Sequence, residues 1–194
     1  CYNFNQTDSN YNLTIYGQLM NNIMQPNSTQ YKYNRGEQNV TFRINVSTDC
    51  SNEGLLSNVL VNFTAQHPTA GNFTCSPVPP YNEGNGYFNC TFINDAGKQV
   101  QSYNLIVNSS NYSSSFFYNP NTTVKSDAFF VSTRPSLTSP SVSPNPGGWG
   151  SNFDFKIYLT DADQDQDNVT LWLREVPSTN WVYESSQIVH GQSS

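Results

Sequence analysis

Between residues 39 and 47 the chain alternates almost without interruption, with Val40, Phe42, Ile44 and Val46 on one parity and Asn39, Thr41, Arg43, Asn45 and Ser47 on the other. A period of two places one set in a core and the other in water, so the segment predicts a half-buried β-strand. The same pattern predicts strands over 58–65 (Val59, Val61 and Phe63 inward), 72–78 (Phe73 and Cys75), 87–92 (Phe88, Cys90 and Phe92), 102–107 and 128–132. Turn residues punctuate them at 33–36, 79–86 and 94–97, where Gly, Pro, Asn and Asp concentrate. No segment sustains a helical period.

Residues 133–150, rich in Pro, Ser and Gly, predict a domain boundary, after which the pattern restarts. Phe42 and Ile44 are echoed by Phe155 and Ile157, a displacement of 113 residues, which is the length of a whole domain rather than of a solenoid unit. The expectation is an all-β chain of tandem immunoglobulin-like β-sandwiches. Its boundaries are 1–17, a terminal strand of a preceding or neighbouring domain with Leu13 and Ile15 on one face; 18–133, a complete sandwich; and 134–194, a second, partial one. The last segment predicts four strands, over 136–143, 152–160, 168–175 and 180–185, and half a sandwich cannot cover its own inner face. Completion is expected either from further chain beyond Ser194 or from the N-terminal strand, around 12–16, of a neighbouring copy.

Composition then changes the picture. Twelve Asn-x-Ser/Thr triplets are present, roughly twice what 27 Asn and 40 Ser or Thr would give by chance: Asn5, Asn12, Asn27, Asn39, Asn45, Asn62, Asn72, Asn89, Asn108, Asn111, Asn121 and Asn168. In eight of them the middle residue is apolar, aromatic or Cys, so on a strand the glycan faces out while its neighbour faces in. These residues predict a secreted or cell-surface glycoprotein carrying covalent N-glycans. Asn119, followed by Pro120, lacks the triplet.

Charged residues make up only 11% of the chain, the net charge is −6 and the eight Lys and Arg are scattered, so there is no basic patch for nucleic acid or for an anionic membrane. No apolar run is long enough to span a bilayer, and membrane insertion is not expected. The four cysteines, Cys1, Cys50, Cys75 and Cys90, form an even set without metal-site spacing, which in an extracellular chain predicts disulfides. Cys75 and Cys90 lie symmetrically about the 79–86 turn, so a hairpin would set them opposite one another; Cys1 would then pair with Cys50, with a Cys50–Cys90 bridge or a bond from Cys1 to another molecule as alternatives.

Four stretches, 39–50, 57–63, 84–87 and 102–107, resemble the invasin-type immunoglobulin-like repeats of bacteria and archaea. Gly147-Gly148-Trp149-Gly150 and Thr160-Asp161-Ala162-Asp163 are similar to related repeats of large archaeal surface proteins, and the likeness spans about 25–175. It implies tandem domains in surface-layer proteins, adhesins or extracellular filaments. Where the family commonly has Asp-x-x-Gly, this chain has Asp49-Cys50-Ser51-Asn52-Glu53-Gly54, and the added Cys suggests a bridge at that pole.

Asp161, Asp163, Asp165 and Asp167 alternate, a set of hard oxygen ligands suited to calcium. The helix–loop–helix calcium motif is excluded by Gln166 in the Gly position and Trp172 in the Glu position, which leaves a calcium site at a domain pole or an acidic turn. No cofactor is required on this reading, and calcium is the one candidate. With two His in all, no nucleophile elbow and no phosphate loop, no enzyme is expected. The functional expectation is a structural surface protein that builds a filament or surface layer from copies of itself or from further domains of the same chain. The alternative is an adhesin or receptor ectodomain whose loops recognise a glycan or protein ligand.

Overall fold

The computed structural model describes residues 16–27, 31–49, 54–111 and 118–190. Asn5, Asn12, Cys1, Cys50 and all but the end of the 11–17 strand therefore lie outside the described residues. The protein is all-β and divides into two compact units, Cys1–Val131 and Ser132–Ser194.

Unit 1 contains β1 (Gly17–Gln25), β2 (Lys32–Asn34), β3 (Val40–Thr48), β4 (Val59–His67), β5 (Gly71–Thr74), β6 (Ser76–Gly84), β7 (Tyr87–Phe92), β8 (Gln101–Asn111), β9 (Tyr118–Asn119) and β10 (Asn121–Ser132), whose last residue enters unit 2. They form two five-stranded sheets, β6-β7-β3-β1-β9 and β2-β10-β8-β4-β5, an arrangement consistent with a β-sandwich. The alternation at 40–48 is realised strictly, for Val40, Phe42, Ile44 and Val46 are all buried. They meet Phe63, Ala65, Leu105, Val107, Phe129 and Val131 from the other sheet. Aromatic rings dominate the centre: Tyr103 stacks on Phe129 at 5.0 Å, and Phe92 lies 5.3 Å from Phe129 and 5.5 Å from Tyr103. Burying a ring of this size removes a large apolar area from water, so this cluster is the main source of unit 1's stability.

Several polar groups drawn into this core find partners for their donors. The Tyr103 hydroxyl, near the start of β8, donates back to the Gln99 carbonyl at 2.9 Å. Asn94 is buried beneath the 33–39 turn and donates through Nδ2 to the carbonyls of Tyr33, Asn34 and Gln38. His67 is the buried end of β4. Its Nδ1 accepts the backbone N–H groups of Thr69 and Ala70 at 3.2 and 3.0 Å, which fixes the β4–β5 turn.

Unit 2 contains β11 (Ser136–Ser143), β12 (Asp154–Thr160), β13 (Gln166–Leu173) and β14 (Val182–His190). They pair as two separate two-stranded antiparallel sheets, β11-β12 and β13-β14. All four expected strands are present, but among the described residues of this unit no apolar side chain is buried. Phe153, Phe155 and Ile157 are 45, 46 and 41% exposed, while Leu159, Val169, Leu171 and Leu173 are half-buried.

Candidate functional site: acceptor asparagines, a bridge and an acidic loop

The strand pleat orients the acceptor triplets. Asn39, Asn62, Asn72, Asn27 and Asn168 are exposed, and Asn45, Asn89, Asn108, Asn111 and Asn121 are half-buried. In the triplets at Asn39, Asn45, Asn62 and Asn89 the middle residues, Val40, Val46, Phe63 and Cys90, are buried, as the alternation requires. Both outer faces of unit 1 carry acceptors: Asn45 and Asn89 on β3 and β7, Asn62 and Asn108 on β4 and β8. Asn62 and Asn108 are direct cross-strand partners, so their Cβ atoms are about 5 Å apart and two glycans there would stand side by side.

Local hydrogen bonds distinguish the acceptors. Asn39 and Asn108 use their oxygens, accepting from the Asn94 N–H and the Thr122 hydroxyl. Asn89 donates from Nδ2 to Glu83 Oε1 at 2.6 Å, and Asn111 donates from Nδ2 to the Tyr118 carbonyl at 2.7 Å. Around Asn89 the face is further organised by Arg43, whose guanidinium forks onto Glu83 (2.7 and 2.9 Å) and lies 4.5 Å above the Tyr87 ring. Hydrogen bonds from Arg43 and then Asn89 hold the Glu83 carboxyl down at about 2. Sequence patterning did not single out this Arg43–Glu83–Asn89 group, because Arg43 lies 40 residues from Glu83 along the chain.

Cys75 and Cys90 are bridged, with Cα atoms 5.7 Å apart. The pairing agrees with the expectation, but the hairpin behind it does not. The 79–86 segment is not a turn: β6 runs on through Pro79 and Pro80 to Gly84, and the reversal is the two-residue loop Asn85-Gly86, with φ of 49° and 77°. Register shifts between Ser76 and Tyr81 and between Asn82 and Gly84 absorb the surplus residues. The Asn-Gly dipeptide was the available signal, since a two-residue hairpin loop of the type I′ kind needs positive φ at both positions, which Asn and Gly tolerate. The expected 72–78 strand likewise breaks at Cys75 into β5 and β6, which belong to different sheets.

In unit 2 the loop between β12 and β13 gathers the acidic residues. One carboxylate oxygen from each of Asp161, Asp163 and Asp165 lies within 4.8 Å of the others. Thr133 ties this loop to the start of the unit: its N–H donates to Asp163 Oδ2 at 3.0 Å and its hydroxyl to Asp161 Oδ1 at 2.9 Å. Burial, and then the hydrogen bond with Asp161, pushes the Asp163 carboxyl up to about 6. Burial alone would raise Asp161 too, but hydrogen bonds with Asp163 and Thr133 hold it below its ordinary value, so a proton shared by the pair resides on Asp163. Burial and the charges of Asp161 and Asp165 also raise Asp167. Thr133, outside the acidic run, is the member that sequence reasoning missed. No protein-family model matches the chain, and no curated protein matches it.

Proposed function

We propose that this protein is a structural subunit of an extracellular filament or surface layer, N-glycosylated, disulfide-bridged and built from tandem immunoglobulin-like domains. On this reading, the second domain is completed by a strand from a neighbouring copy. One observation carries the proposal: acceptor sites are concentrated in unit 1, whereas unit 2, with about half as many residues, carries thirteen of the twenty-three large apolar side chains exposed among the described residues. Eleven of the twelve triplets fall in residues 1–131 and only Asn168 in 132–194, where Phe153, Phe155 and Ile157 are exposed. A polymer subunit must keep its contact surface free of sugar, and an adhesin must instead keep a tip of loops free.

The edges of the sheets support the same reading. In unit 1 the four edge strands are protected against adventitious pairing: β9, β2 and β5 have two, three and four residues, and β6 contains Pro77, Pro79 and Pro80. In unit 2 every strand is an edge strand seven to nine residues long. A two-stranded sheet is marginal alone, and each large apolar side chain left in water forgoes roughly 1.5 to 3 kcal/mol. The alternation of Leu13 and Ile15 with Asn12 and Thr14 suits a donated strand with its apolar face inward and its glycan outward. Donation from one copy to the next is heterologous, so it propagates head to tail.

The strand order supports the domain type. The run β6-β7-β3-β1 opposite β10-β8-β4-β5 corresponds to the D-E-B-A and G-F-C-C′ strands of an immunoglobulin sandwich. Tyr103, bonding back to Gln99 at the start of β8, occupies the place of that fold's tyrosine corner. The bridge departs from the pattern, because it staples the β6–β7 side of one sheet rather than crossing between sheets.

The test is the double substitution Leu13→Asp/Ile15→Asp, assayed by negative-stain imaging and sedimentation. Filaments should be lost while unit 1 keeps its cooperative melt. A wild-type chain that stays a monodisperse monomer with unit 2 cooperatively folded would overturn the proposal.

A further inference from the structure

The β12–β13 loop poses a problem that the assembly reading leaves unsolved. Asp161 is 2% exposed in a unit that otherwise buries almost nothing, and its Oδ2 has no hydrogen-bond partner. Asp163 Oδ1 and Asp167 Oδ2 are likewise buried without partners, so three of the seven orphaned side-chain atoms among the described residues belong to this loop and the start of β13. The donors that Thr133 offers are spent on the other oxygens, Asp161 Oδ1 and Asp163 Oδ2. Once all are ionised, the neighbouring carboxylates cannot satisfy one another, because a carboxylate without its proton only accepts. Withdrawing such oxygens from water without a counter-charge is strongly unfavourable, and a cation is the direct remedy.

The geometry fits a large, hard cation. Calcium binds oxygen at about 2.3 to 2.6 Å, so two ligands on opposite sides of the ion stand about 4.6 to 5.2 Å apart, whereas magnesium at about 2.0 to 2.1 Å draws them to about 4.2 Å or less. Oxygens from Asp161, Asp163 and Asp165 that already lie within 4.8 Å of one another fit inside a single calcium shell. We propose that the β12–β13 loop is a calcium site in which Asp161, Asp163 and Asp165 each supply an oxygen and Asp167, at the start of β13, adds charge at its border. Because two of these ligands are held by Thr133, the ion locks the connection between the two sheets of unit 2 onto Thr133, near the start of the unit.

The experiment is isothermal titration of the intact, EGTA-stripped protein with CaCl2, paired with MgCl2 under the same conditions. One calcium per chain is expected, with at least tenfold weaker binding of magnesium. Asp161→Asn should abolish the signal. Because Asp161 is buried and its replacement could disturb the fold, Asp165→Asn, at a half-exposed position, is the second variant; it should weaken calcium at least tenfold while leaving the circular dichroism of the stripped protein unchanged. Asp95→Asn, in unit 1, should bind as the wild type does. Absence of saturable calcium binding, equal affinity for magnesium, or binding retained in a folded Asp165→Asn variant would each overturn the assignment.

Discussion

At the scale of single residues, Gly86 is the most constrained position in unit 1. Its φ of 77° belongs to the left-handed region, and a Cβ there would sit 2.8 Å from the Leu55 carbonyl carbon. Its N–H also donates to the Ser57 hydroxyl oxygen at 2.7 Å, and its carbonyl accepts from the Val46 N–H. Gly86→Ala should therefore cost about 2 to 4 kcal/mol, the sum of left-handed strain and overpacking, read as a lowered denaturant midpoint. A change within about 0.5 kcal/mol, as at an ordinary surface site, would contradict this account. Glu83 makes a prediction in pH. Its carboxyl is lowered from 4.5 to about 2 in the folded protein, so its contribution is fully present above pH 4.5 and disappears as pH falls toward 2. The stability difference between wild type and Glu83→Gln should accordingly shrink across that window and be flat above it. Glycosylation of Asn89 need not disturb this group, because an N-glycosyl amide keeps one N–H for Glu83.

At the scale of elements, the acceptors differ by where their strands hold them. Exposed Asn39, Asn62 and Asn72 should be occupied in glycopeptide mass spectra of native material. Asn111, with its Nδ2 committed to the Tyr118 carbonyl and its Oδ1 buried, should be the least occupied described site in unit 1, and Asn119 should be bare. Uniform occupancy that includes Asn111 would show that modification is complete before β8 is formed. The Cys75–Cys90 bridge closes a 15-residue interval, for which chain entropy gives about 3 kcal/mol. A Cys75→Ser/Cys90→Ser variant should lose about that much in chemical denaturation, and equal stability of the two proteins would mean that β6 and β7 are fixed by pairing alone. Strands were legible where one face met a core and the other met water, as in β3, β4 and β7. They were not legible in β6, where prolines that usually mark a turn lie along an edge strand with no ladder partner on its outer side.

At the scale of the whole molecule, the two units stand on opposite sides of a threshold. Unit 1 closes an aromatic core between two five-stranded sheets, and unit 2 presents two isolated ribbons with their apolar residues uncovered. On the proposed assembly, calorimetry of the free monomer should show one cooperative transition, from unit 1, and a second only when copies associate. Two transitions in the free monomer would contradict an incomplete second domain.

The sequence by itself determined what depends on neighbours a few residues away: the parity of β3, β4 and β7, the outward placement of Asn39 and Asn62, and the even cysteine set. Each is a local consequence of pleat or composition. Tertiary structure alone decided what depends on segments distant in the chain. It brought Arg43 onto Glu83, turned His67 into a buried brace, set Asn62 beside Asn108 and placed Thr133 against Asp161 and Asp163. It also decided which carboxylate oxygens lose water, because burial is set by everything that packs around a group and not by the residues that flank it.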